Sequence, residues 1–169
     1  MRVGRLTRQK GQDVAVRALA AMQTPGAVLR LVGDGPDRAA LLELAASLGL
    51  SARIELTGTV DDTAPHLRAA DVVIAPSRWE GLSLTLLEAM ACGAPIVASR
   101  VAGTAALGGV GVLVAPDDPT ALAAAADQLL ADPDRAKACG AAARARAVER
   151  FALEDSVASN LALWREVAS

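Results

Sequence analysis

The fold the sequence predicts is α/β: a doubly wound parallel sheet with flanking helices and a C-terminal helical tail. Three observations carry this. Short apolar runs alternate with amphipathic helical stretches over roughly the first two thirds of the chain. The run Val72-Val73-Ile74-Ala75 is apolar without alternation, as in a parallel strand buried on both faces. Short Gly-rich turns separate strand from helix, and after Pro119 the texture changes to consecutive Ala-rich helices.

The elements follow in order. Met1-Arg2-Val3 stands directly before Gly4. A sheet strand usually runs about five residues, so a first strand here is expected to lack most of its length. Ala27 to Val32 reads as a strand closed by Gly33-Asp34-Gly35-Pro36. Asp37 to Leu48 reads as a helix with Leu41, Leu42, Ala45 and Leu48 on one face, stopped by Gly49. Ile54-Glu55-Leu56 is a short strand, and Asp61 or Asp62 can cap a helix running to Ala70. Leu84 to Cys92 reads as a helix ended by Gly93 and Pro95, followed by strands at Ile96–Ser99 and Val112–Val114. Residues 101–111, with four glycines, read as the most flexible loop. Three helices are expected over 121–131, 133–150 and 153–167. No internal repeat and no disordered linker are read from the sequence.

Composition narrows the function classes. The chain has 169 residues, enough for one domain with a proper core. Aromatic residues make up 2% and tyrosine is absent, so the core must be built from Ala, Leu and Val. A formal net charge of −2 gives no global basic excess for nucleic acid or an anionic membrane, so an anionic ligand must be met by local charges. Cys92 and Cys139 show no metal-ligand spacing and read as reduced thiols. No apolar run reaches the roughly 18 residues of a membrane span. Arg5, Arg8 and Lys10 arrive too early for a signal peptide. The expected location is the cytoplasm, with a peripheral place on the inner membrane face left open.

In an open parallel sheet, ligands bind beyond the carboxyl ends of the strands. Three turns at such ends carry candidate chemistry. The first, Gly4-Arg5-Leu6-Thr7-Arg8-Gln9-Lys10-Gly11, holds three cations between two glycines. Arg5 and Lys10 suit a diphosphate clamp, with the amides of a following helix behind them; the alternative is a solvated basic turn. The GxxxxGK[ST] order of a P-loop is absent. The second, Gly33-Asp34-Gly35-Pro36, is either a ligand turn or merely a tight one. The third runs from Pro76 to Met90. It places Glu80 in a turn, Gly81, Leu82 and Ser83 at a helix N-terminus, and Glu88 on the helix, seven residues separating the two carboxylates. Amides at a helix start favour a phosphate. A carboxylate suits the vicinal hydroxyls of a ribose or a sugar. The alternative is two surface charges near a helix start.

Taken together, these residues resemble the group 1 (family 4) glycosyltransferases, retaining sugar transferases with two facing Rossmann-like domains. The likeness runs from Gly4 to about Trp164 and corresponds to the family's C-terminal, donor-binding domain. Gly4-Arg5-Leu6 with Lys10-Gly11 resembles the phosphate-binding turn. Val32-Gly33-Asp34-Gly35-Pro36 resembles the second-strand turn. Pro76-Ser77, Glu80-Gly81 and Glu88-Ala89-Met90 resemble the E-x7-E motif, with Gly93-Ala94-Pro95-Ile96-Val97-Ala98 behind it. Phe151 onward resembles the closing helix that packs back toward the partner domain.

The resemblance implies a nucleotide-diphosphate sugar as donor. Arg5 and Lys10 would hold its diphosphate, beside Gly4. Glu88 would bind the ribose and Glu80 the transferred sugar. Amides around Gly81, Leu82 and Ser83 would meet the phosphates, and backbone near Gly58 to Val60 the base. Glu80, Arg5 and Lys10 are the implied catalytic set, with retention of anomeric configuration and no metal or other cofactor. Two departures from the resemblance are expected: Ala106 occupies the place of a common glutamate in a shortened loop, and the family's N-terminal acceptor domain is expected to be absent. The expected partner is therefore that missing domain or a separate subunit. The alternatives are a stand-alone nucleotide-sugar-binding module without transferase activity and a sugar-nucleotide epimerase of like architecture. His66 is read as an ordinary boundary side chain, Trp79 as a wall of the cleft and Trp164 as packing for the last helix.

Overall fold

The computed structural model describes residues 1–167. Among the described residues, six parallel strands and seven α-helices follow one another: β1 (Arg2–Val3), α1 (Gln12–Ala21), β2 (Leu29–Val32), α2 (Arg38–Ser47), β3 (Ile54–Gly58), α3 (Ala64–Arg68), β4 (Val73–Ala75), α4 (Leu84–Ala91), β5 (Ile96–Ser99), β6 (Val112–Val114), α5 (Pro119–Ala131), α6 (Pro133–Arg150) and α7 (Leu153–Val167). The strands form two three-stranded sheets, β1-β2-β3 and β4-β5-β6. They abut along β1 and β4, where the Ile74 amide donates to the Met1 carbonyl at 2.8 Å. Reading across both gives the order 3-2-1-4-5-6, which reverses direction between β1 and β4 and leaves a ligand crevice beyond that point.

Alternation along the strands divides the core between two faces. Leu29, Leu31, Val72, Ile74 and Val97 pack with α1, α2 and α5. Val32, Val73, Ala75, Ile96 and Ala98 pack with α3, α4 and α6. Because both faces of β4 are covered, it carries no polar residue, which is why the run at Val72 to Ala75 shows no alternation of polarity. The starts of α5 and α6 are fixed by side chains. The Asp118 carboxylate accepts the Ala121 amide at 2.8 Å, and Asp132 accepts that of Arg135 at 2.9 Å.

Several boundaries differ from the sequence expectation. β2 begins at Leu29, not Ala27, because Gly26 and its neighbours complete the turn from α1. α3 is confined to Ala64–Arg68; Asp62 caps it through the Ala64 amide at 2.9 Å, but the helix stops before Ala70. The glycine-rich segment is not an open loop. Ala102–Leu107 forms a 3-10 helix in which Thr104 and Leu107 are buried, and the Thr104 hydroxyl donates to the Ser99 carbonyl. Helix α7 packs against little: Leu153, Val157, Leu161 and Trp164 are all exposed. Trp164, at 66% exposure, therefore does not serve as packing.

Candidate functional site

Beyond the carboxyl ends of β1 and β4, the structure brings two of the predicted turns into contact. The first turn closes with a short 3-10 helix, Arg8–Lys10, that ends at Gly11 with φ 67°. A Cβ on Gly11 would lie 2.0 Å from the Pro76 carbonyl oxygen. Only glycine allows both that backbone angle and that approach. The second turn therefore lies directly against the first.

Lys10 and Glu80 face each other across this junction. The ammonium meets Oε1 of Glu80 at 2.5 Å, with the carboxylate side chain only 7% exposed. The buried Ser77 hydroxyl donates to the same oxygen at 2.9 Å. Arg2 lies beneath the pair, fully buried under Gly4. Its guanidinium donates to the Val3 carbonyl while its Nε finds no partner. Burial pushes its pKa down to about 10, and Glu80 is the charge that opposes this.

Gly4 is half-buried and its amide donates to the Val32 carbonyl at 2.9 Å. Arg5 is exposed. Its carbonyl is held by the buried Gln12 side chain at 2.8 Å, and its guanidinium has no partner among the described residues. Gly81 and Leu82 are exposed ahead of α4, and the buried Ser83 is its N-cap. Ser83 makes no side-chain capping bond, so the first amides of α4 keep free donors, where the helix dipole favours an anion. Glu88 stands apart from Lys10 and Glu80. It is exposed on α4 and accepts a hydrogen bond from the Thr63 hydroxyl at 3.0 Å. That bond ties α4 to the loop after β3, where Val60 is half-buried.

The Gly33–Pro36 turn proves to be a support. A Cβ on Gly33 would strike the Gly4 carbonyl at 2.3 Å, and one on Gly35 the Leu6 carbonyl at 2.3 Å. The Leu6 amide donates to Asp34 and the Asp37 amide to Leu6. This glycine pair lets the second-strand turn buttress the basic one. The Ala102–Leu107 helix closes the other side: a Cβ on Gly103 would lie 1.9 Å from the Gly81 carbonyl and 2.5 Å from the Glu80 Cβ.

Sequence reasoning assigned no role to Arg78, Asp13 or Ser77. Arg78 sits within the motif run, and Asp13 shows only as an acid in the first turn of a helix. Among the described residues, no three His, Cys, Asp or Glu side chains group to hold a metal ion, and no helix is long and apolar enough to cross a membrane. A cavity of about 440 Å³ lies at the opposite ends of the strands, lined by Met1, Leu19, Met22, Val72 and Leu122, with the half-buried His66 at its wall. It is remote from the turns described above. Cys92 and Cys139 are both free thiols.

Comparison with known proteins places this geometry in a family. The sequence pattern described as "Glycosyl transferases group 1" matches residues 1–132. A GDP-mannose-dependent phosphatidylinositol monomannoside mannosyltransferase of Mycolicibacterium smegmatis is 36% identical over 88% of this chain and 43% of its own length. A lipopolysaccharide core biosynthesis mannosyltransferase of Rhizobium meliloti is 35% identical over 97% of this chain and 50% of its own. Among solved structures, sucrose-phosphate synthase from Thermosynechococcus elongatus superposes with a TM-score of 0.92 at 34% identity, covering 99% of this chain and 46% of that one. Anabaena HepE in complex with UDP gives 0.88 at 28% identity, covering 95% and 47%. The chain spans about half the length of the curated relatives it matches. With the family pattern covering most of its residues, the chain belongs to the group 1 glycosyl transferases.

Proposed function

We propose that this chain is the donor-binding domain of a retaining glycosyltransferase, taking a sugar from a nucleotide diphosphate. The observation that carries this is the meeting of Lys10 and Glu80 at the switch point between β1 and β4, beside the N-terminus of α4. Arg5, unpartnered, and Lys10 supply cations for the diphosphate, and Gly4 lets it approach the backbone. The amides at Gly81, Leu82 and Ser83 add donors of the same polarity. Such fixed positive ends stabilise the charge that develops on a leaving diphosphate, so the reading needs no metal. Glu80 orients the transferred sugar, Glu88 takes the ribose hydroxyls, and backbone at Val60 borders the base. Solved HepE structures hold UDP, UDP with glucose, and UDP-glucose, which supports a nucleotide-sugar donor.

The acceptor site then belongs to a second domain or subunit, in keeping with the half-length match to relatives. Calorimetry of this chain with UDP, GDP and ADP, with and without a chelator, tests the donor reading. Weak binding of at least one, unchanged by chelator, is expected; no heat from folded protein at millimolar nucleotide overturns it. In a fusion to a compatible acceptor domain, Glu80→Ala should lower turnover by about 10²-fold, the scale for losing a preorganised polar contact.

A further inference from the structure

Arg78 binds more of the site's framework than any residue the motifs single out. Its two terminal nitrogens grip the Asp13 carboxylate at 2.8 Å each. One of them also donates to the Arg8 carbonyl at 2.7 Å. Its Nε meets Asp117 at 2.7 Å, and its backbone amide donates to the Gln9 carbonyl at 2.8 Å. The Gln9 side chain returns the connection by donating to the Trp79 carbonyl at 3.0 Å. These bonds link the turn after β1, the first turn of α1, the turn after β4 and the segment after β6. Arg8 and Gln9 are the two residues before Lys10; Arg78 is two residues before Glu80.

We infer that Arg78 is a positioning residue that fixes Lys10 against Glu80 by clamping both turns to Asp13. Its side chain is 15% exposed and its donors are directed into the protein framework, so it acts through the turns and not on the ligand. A planar fork with two parallel bonds sets orientation as well as distance, which a lysine ammonium cannot do. Arg78→Lys therefore keeps the charge near a bound anion and removes only the geometry. The inference rests on the donor-site reading for its effect on ligand, but its effect on Lys10 stands without it.

The test uses the full chain with Arg78→Lys, Asp13→Asn and a control, Asp127→Asn. Asp127 accepts the Gln23 and Thr24 amides at the opposite ends of the strands, so its loss destabilises without touching the site. UDP affinity is read by calorimetry, and the Lys10 ammonium by its ¹⁵N resonance at low temperature. Both clamp variants should weaken UDP about tenfold, the size of one charged hydrogen bond. Both should shift the Lys10 resonance toward that of a free lysine. The control should lower Tm yet leave affinity and resonance unchanged. A wild-type Lys10 resonance in either clamp variant, or an equal shift in the control, overturns the inference. If the wild-type chain takes up none of UDP, GDP or ADP, the donor reading falls, and the resonance still decides the role of Arg78. Asp13→Asn, nearly isosteric, serves should Arg78→Lys fail to fold.

Discussion

Lys10 and Glu80 lie 70 positions apart in the chain and 2.5 Å apart in the fold. The ammonium that a diphosphate would recruit is thus already engaged by a nearly buried carboxylate. Binding must draw Lys10 away or add an anion beside Glu80. Lys10→Met should therefore weaken UDP at least tenfold. Glu80→Gln should weaken it by less, because the loss of the group that holds Lys10 in place is partly offset by removal of a like charge. Calorimetric titration of both variants checks the order; tighter UDP binding by Glu80→Gln would show that the carboxylate restrains the lysine and does not present it to the anion.

Contact between the two turns depends on Gly11. Gly11→Ala combines a left-handed backbone angle with a collision at Pro76, and should cost more than about 2 kcal/mol. Gly26 has the same backbone angle, φ 69°, but open space around it. Gly26→Ala should cost only the backbone strain, about 1 kcal/mol. Thermal unfolding of the two variants separates collision from conformation, and equal losses would remove the close approach as a cause.

Arg2 is charged, fully buried and left with an unpartnered Nε. A side chain of similar length without the charge should fit better. Arg2→Met should stabilise by about 1–4 kcal/mol, a rise of several degrees in Tm. A fall in Tm would mean that Glu80 compensates Arg2 more fully than the geometry indicates.

The Arg78 fork holds the Asp13 carboxyl below its ordinary value of 3.8. A depressed carboxylate stabilises the fold above its unfolded pKa and loses that contribution as pH falls through the folded one. Wild type should therefore keep its advantage over Asp13→Asn above about pH 4. It should lose that advantage progressively in more acid solution. Melting curves of both proteins from pH 2 to 6 check this; a pH-independent gap would assign the stabilisation to neutral hydrogen bonding.

How much was legible in the sequence follows from what each feature depends on. The sheet could be read because β4 and β5 are continuous apolar runs between Gly-marked turns, a purely local signal. The two site turns could be read because each carries its charges within a dozen residues. The clamp could not. Arg78, Asp13 and Asp117 come from different strand ends, and only the strand order brings them together. Glycine content left one turn undecided and misled at another. Gly33 and Gly35 serve close packing on Gly4 and Leu6, and Gly103 belongs to a short helix pressed on Gly81, not to an open loop. Helix α7 was placed correctly, but its periodicity says nothing of whether a partner covers it.

Trp79 and Trp164 are 51% and 66% exposed, and the chain has no tyrosine. Its ultraviolet emission therefore originates at the surface, from the lip beside Glu80 and from the tail helix. The Ala-, Leu- and Val-built interior contributes no light. Unfolding would change the emission wavelength only slightly and is better followed by the amide circular dichroism of the helices. In Trp164→Phe the remaining indole stands next to the Lys10–Glu80 pair. Such a protein would carry its own optical reporter, quenched or brightened by events at the junction of the two turns, with no added label.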